Sequence, residues 1–131
     1  MQILIREMIE EDKNFVRLTW LDHQSAQKYY RKCPRRLIKQ HLGAVVQHHI
    51  ETAKVLVAHP EGEVNQILGY IVFDDECLHF SYVKMLYRHF GIFTKMIENL
   101  PSTLDSYSSI TDDKFFHEFI KKRRLIFNPW G

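Results

Sequence analysis

The spacing of the apolar residues changes at Thr52, and that change limits the chain to folds that join helices to a sheet. Upstream, Leu37, Ile38, His41, Leu42, Val45, Val46 and Ile50 recur at intervals of three and four, the period of one helix face. Downstream, "AKVLVAH" and "QILGYIVFD" are short runs rich in β-branched and aromatic residues, separated by "PEGEVN", whose Pro, Gly and Asn suit a turn. The two runs read as an antiparallel hairpin over residues 53–59 and 66–74. A third run, "CLHFSYVKM", follows the acidic turn Asp74-Asp75-Glu76 and predicts a strand over 77–84.

The remaining segments fill in around this sheet. "ILIRE" reads as a first strand, over 2–6, and Phe15, Val16, Leu18 and Trp20 mark a helix from Glu10 to about Leu21 with an acidic first turn. Pro34 opens the second helix. After the third β run come a tight turn, a helix closed by Pro101, a short strand in "SYSSIT", a helix in "DDKFFHEFIKK" and a terminal strand in "RRLIFNPW". That order predicts an α+β fold with a mostly antiparallel central sheet flanked by helices. At 131 residues, 45% of them hydrophobic, the expectation is a single domain over 1–131.

Charge and cysteine usage narrow the setting. Eighteen Lys and Arg against 16 Asp and Glu give a net charge of +2, too small for a strong overall pull toward nucleic acid. Locally the balance differs: no acidic residue lies between His23 and Ile50, while Lys28, Arg31, Lys32, Arg35, Arg36 and Lys39 crowd one segment that also holds Tyr29 and Tyr30. This combination is a candidate contact for a protein or nucleic-acid partner, through stacking and phosphate neutralisation; the favoured reading is a solvated helix start. Cys33 and Cys77 are unpaired in spacing, which points to a reducing compartment. With no signal-peptide pattern and no apolar span, the expected setting is the cytoplasm, with no membrane partner. His41, His48 and His49 lack a completing Cys or carboxylate, so no metal site is expected.

The stretch "SYVKMLYRHFGIFTKMIENL" carries the most chemistry. A strand, a tight turn and a helix start bring unpartnered N–H groups together, a geometry suited to a phosphate. Glycine is favoured where a phosphate approaches the backbone closely, and Gly91 stands there, three residues after Arg88.

On these residues the chain resembles the GNAT superfamily of acetyl-coenzyme A dependent N-acyltransferases. "ILIREMIEEDKNFVRLTWL" is similar to that family's first strand and helix, and "VKMLYRHFGIF" to its acyl-CoA motif, an Arg/Gln-x-x-Gly-x-Gly/Ala turn, with Arg88 and Gly91 on its first two positions. Phe93 stands at the third, normally small position, and Phe90 stands where a glycine is usual. Within the superfamily, "LHFSYVKMLYRHFGI" and the terminal "FNPW" are most similar to small bacteriophage GNAT-like proteins.

The resemblance implies acetyl-CoA as cofactor. Val83 and Met85 on the fourth strand would hold its pantetheine arm by main chain, and the turn Arg88, His89, Phe90, Gly91, Ile92 and Phe93 its pyrophosphate. The acceptor would be an amine, on a small molecule or a protein. Acyl transfer to an amine needs a base and favours an acid near the departing thiolate. His79 and Glu76 are the candidate bases and His117 or Tyr107 the candidate acid, since the helix that carries a tyrosine in the family has none here. The same departures support a second expectation: a catalytically inactive scaffold of phage origin, in the host cytoplasm or the virion, binding a host protein or nucleic acid.

Overall fold

In the second strand of the sheet the side chains alternate strictly, Val55 and Val57 to one face, Leu56 and Ala58 to the other, and all four are buried. A strand covered on both faces needs a layer on each, and the computed structural model, which describes residues 1–131, supplies them. Strands β1 (Ile3–Glu7), β2 (Lys54–Pro60), β3 (Gly69–Phe73), β4 (Cys77–Val83), β5 (Ser106–Tyr107) and β6 (Ile126–Phe127) form one six-stranded sheet in sequence order. Helices α1 (Lys13–Ser25) and α2 (Arg35–Thr52) cover one face. Val16 and Trp20 of α1, and Val46 and Ile50 of α2, pack there on Val55, Val57, Tyr70, Val72 and Phe80. Helices α3 (Ile92–Ile97) and α4 (Lys114–Arg123) cover the other, where Ile92, Met96, Phe116 and Phe119 meet Leu56, Ile71 and Leu78.

The expected α+β architecture is the observed one, and β1 to β4 pair antiparallel. Beyond β4 the sheet turns parallel: Cys77 and Leu78 face Ser106 and Tyr107, which in turn face Ile126 and Phe127. The strand expected in "SYSSIT" is therefore cut to two residues. Past Tyr107 the Ser109 hydroxyl bonds the His79 carbonyl and takes the chain out of ladder geometry. The strand expected from 66 begins only at Gly69, because the N–H of Gln66 is committed to a turn with the Glu63 carbonyl. The helix expected up to Pro101 stops at Ile97 in a tight turn, with Leu100 N–H bonded to the Ile97 carbonyl.

The first helix also starts later than expected. Glu10–Asp12 form a 3-10 turn, and Asp12 is buried rather than simply facing the helix dipole. Arg6 of β1 grips it with two bonds of 2.6 and 3.1 Å, and its carboxylate accepts from the Ile9 N–H at 2.9 Å. Burial opposes its charge, but these donors outweigh that and hold its pKa below the usual carboxylate value. The strand and helix thus enter the sheet locked together.

Candidate functional site: a cavity at the β4–β5 fork

One irregularity in β4 builds the site. Val72 pairs with Phe80 but Phe73 pairs with Leu78, so His79 is the extra residue of a β-bulge. The bulge turns the carbonyls of both Leu78 and His79 toward β5, where Ser108 N–H and the Ser109 hydroxyl take them. There the β4–β5 ladder ends. Further along, Lys84 N–H bonds the Leu68 carbonyl at 2.9 Å, which fixes the alternation of the β3–β4 ladder. Ser81 and Val83 consequently point their main-chain groups away from β3, into the gap left by β5.

A cavity of about 180 Å³ opens at that gap. The β4 end contributes Ser81, Tyr82 and Val83; the following turn contributes Arg88, His89 and Gly91; α3 contributes Ile92, Phe93 and Thr94. His23 reaches in from α1, and Asp113, Phe115 and Phe116 close the side formed by the start of α4. The cavity therefore draws walls from both layers of the fold.

The turn is held by backbone conformation. His89 and Gly91 both adopt positive φ, 72° and 79°. A Cβ on Gly91 would meet no protein atom within 4 Å, so its conformation demands glycine while the space above it stays open. Arg88 folds back so that its Nε donates to the Val83 carbonyl at 3.3 Å, and its other guanidinium nitrogens make no bond to the protein. Phe93, at the normally small third position of the motif, packs edge-on against Phe119 with ring centres 5.6 Å apart. Phe90 is 60% exposed.

Of the residues assigned to cofactor binding, Val83, Arg88, His89, Gly91, Ile92 and Phe93 meet around the cavity, whereas Met85 and Phe90 lie outside its wall. None of His79, Glu76 and His117 lines it. His79 is almost fully buried, 1% exposed, with its Nε2 on Asp74 at 2.8 Å and its Nδ1 on Ser108 at 2.8 Å. Glu76 is exposed in the turn before β4, at the opposite end of the strand from the cavity. The Nε2 of His117 contacts the Thr111 carbonyl.

Besides His89 of the turn, a second imidazole faces the cavity: His23, half-buried, edge-on to Phe80 and Tyr82. Burial lowers its pKa, Arg88 adds to the effect and Asp113 opposes it, so the ring is neutral near pH 7. Sequence spacing gave no sign of this residue, because its partners lie on β4, the turn and α4. Asp113 serves first as the cap of α4, its Oδ1 accepting from Phe115 N–H at 2.8 Å.

The basic segment runs from a 3-10 turn at Lys28–Tyr30 into the first turns of α2. Lys28, Arg31, Lys32, Arg35, Arg36 and Lys39 are all exposed, and none makes an ion pair. No three His, Cys, Asp or Glu side chains gather to hold a metal ion, and no helix is long and apolar enough to cross a membrane.

No family model matches the sequence, and no curated protein does. Solved structures do match in fold. A ribosomal-protein-alanine N-acetyltransferase from Brucella melitensis superposes with a TM-score of 0.63 at 17% identity, over 100% of this chain and 95% of that one. A GCN5-related N-acetyltransferase from Rhodopseudomonas palustris gives 0.63 at 14% identity, over 94% and 81%. YncA of Salmonella typhimurium, a putative acetyltransferase solved with its cofactor acetyl-CoA, gives 0.50 at 17% identity, over 76% of this chain. The chain spans 61% of that structure's length and 63% of that of Escherichia coli YjaB. At these identities the likeness concerns architecture: the chain has the α+β fold of the GNAT acetyltransferases.

Proposed function

We propose that this protein is an acyl-CoA dependent N-acyltransferase acting on an amine, with its donor site at the β4–β5 fork. The observation that carries the reading is the convergence of the outward main-chain groups of Ser81, the Val83 N–H, the positive-φ turn and Arg88 around one cavity. These residues fit an extended amide-bearing arm that ends in phosphates. The strand edge offers ladder positions to the arm, the free guanidinium donors of Arg88 suit a phosphate, and the open space over Gly91 admits close approach. Two solved structures of this fold, YncA with its cofactor acetyl-CoA and AAC(6')-Iy with a CoA bisubstrate analogue, support the same assignment.

Acetyl-CoA, when bound, supplies the activated acyl group. His23, neutral and at the cavity wall, holds a lone pair with which to take the proton of an incoming amine. Phe115 and Phe116 give the cavity an apolar wall on the α4 side.

Calorimetric titration with acetyl-CoA tests the reading. Saturable binding is expected, and Arg88→Ala should weaken it by about 1.5–3 kcal/mol, the worth of a hydrogen bond to a charged group. Absence of binding at millimolar ligand removes the reading.

A second reading rests on the unpaired cations of the basic segment: a non-catalytic scaffold, of bacteriophage origin, that binds a host protein or nucleic acid through Lys28 to Lys39. Association with single-stranded DNA should then fall steeply as salt rises, and charge reversal at Arg35 and Arg36 should weaken it further. No association at low salt excludes nucleic acid as the partner.

A further inference from the structure

Asp74, His79 and Ser108 form a continuous hydrogen-bonded line at the apex of the fork. Asp74 Oδ2 lies 2.8 Å from His79 Nε2, and His79 Nδ1 lies 2.8 Å from Ser108 Oγ. The protons along the line follow from the acceptor at its far end. Asp74 Oδ1 accepts from the N–H groups of Glu76 and Cys77 at 3.0 and 2.8 Å. Burial works against its charge, but these donors and the imidazole outweigh it and keep the carboxylate ionised. An ionised carboxylate only accepts, so Nε2 carries the imidazole proton. In the neutral ring Nδ1 is then the acceptor, and the Ser108 hydroxyl must donate to it. A serine whose proton is already directed at a carboxylate-backed imidazole has the constellation of an activated nucleophile, which is recognised by geometry and roles rather than by chain order.

The surroundings fix this geometry. The β-bulge places the His79 ring against α2, stacked on His49 with ring centres 3.8 Å apart. Ser108 sits one residue past the last β4–β5 pair and is half-buried, with its N–H held by the Leu78 carbonyl at 3.1 Å.

We infer that Ser108 is a nucleophilic serine, activated by His79 and Asp74, that accepts an acyl group from a thioester or activated ester. In the step, Ser108 Oγ forms a bond to the acyl carbonyl carbon and the carbon–sulfur or carbon–oxygen bond of the donor breaks. The serine proton passes to His79 Nδ1 and from there to the departing thiolate or alkoxide. The resulting ester on Ser108 is discharged to water, with His79 taking the attacking water's proton and returning it to Ser108. The inference rests on the acyltransferase reading only for the natural donor, since an ester that needs no coenzyme A site tests the serine by itself.

The test exposes the full chain to p-nitrophenyl acetate and, separately, to a fluorophosphonate probe, and maps the adduct by peptide mass spectrometry. A single adduct on Ser108 is expected, absent in Ser108→Ala and at least tenfold slower to form in Asp74→Asn. That variant alters a half-exposed side chain and should leave the core in place. Labelling spread over Ser106, Ser109 and lysines, or labelling at Ser108 that is indifferent to Asp74→Asn, overturns the inference. Saturable acetyl-CoA binding with no serine adduct overturns the serine alone. A Ser108 adduct without acetyl-CoA binding overturns the coenzyme A reading and sustains the serine.

Discussion

Gly91→Val is expected to abolish acetyl-CoA binding, and the cause is the backbone before it is the ligand. At φ 79° a β-branched residue is strained by about 1–3 kcal/mol, because its Cβ crowds the carbonyl that follows. Since no protein atom lies within 4 Å of the would-be Cβ, nothing inside the protein resists the side chain directly. The turn therefore relaxes by leaving the left-handed region, which re-aims Arg88 and the N–H groups of 89–91. Gly91→Asn supplies the control, since asparagine tolerates positive φ and should keep part of the binding. Thermal unfolding separates the effects: a modest loss of stability in Gly91→Val with complete loss of binding is expected. Unchanged binding in Gly91→Val would remove the turn from the site.

Acid should destabilise the fold well before its carboxylates titrate. His49 is buried between the Trp20 ring, stacked 5.9 Å away, and the His79 ring at 3.8 Å. Burial chiefly, with His79 and His48 adding and Asp74 opposing, lowers its pKa from 6.5 to about 4. The folded state thus keeps this imidazole neutral while the unfolded chain binds a proton below pH 6.5. Stability is full above pH 6.5 and falls as the pH drops toward 4, by roughly 3 kcal/mol for a depression of this size. His79, depressed by burial against the pull of Asp74, adds in the same direction. Below pH 4 the loss continues through Asp12 and Asp74, whose depressed pKa values make their charged forms part of the fold. Denaturant melts at pH 7.5, 6, 5 and 4.5 measure the slope, and His49→Phe, which retains a ring in the stack, should flatten it. An unchanged slope in that variant would place the titrating group elsewhere.

What the sequence revealed, and what it hid, follows from how local each determinant is. The hairpin of β2 and β3 was legible because Val55, Val57, Tyr70 and Val72 alternate with Leu56, Ala58 and Ile71 around a glycine-bearing turn. The strand-turn-helix from Ser81 to Ile97 was legible for a similar reason: Arg88 and Gly91 are close neighbours in the chain. The shortness of β5 was not, because it depends on serine hydroxyl bonds and a bulge that have no periodic signature. His79 was a candidate base because an unperturbed imidazole titrates near neutral pH, whereas its aromatic neighbours in the strand pointed to a hydrogen-bonded core position. Whether it faces a cavity or the core depends on the bulge, which turns it toward His49 and Ser108. His23 and Asp113 are 90 residues apart and meet only because α1 and α4 approach the same strand end from opposite faces, a relation that no local pattern encodes.

The most direct test of the central claim is an amide map of the protein by NMR during titration with acetyl-CoA. Saturable shifts are expected in the N–H signals of Ser81, Val83 and residues 89–91, the groups that face the fork without protein partners. The signals of Lys28 to Lys39 should stay in place. Shifts confined to the basic segment, or none at any residue of the fork at saturating ligand, would contradict it.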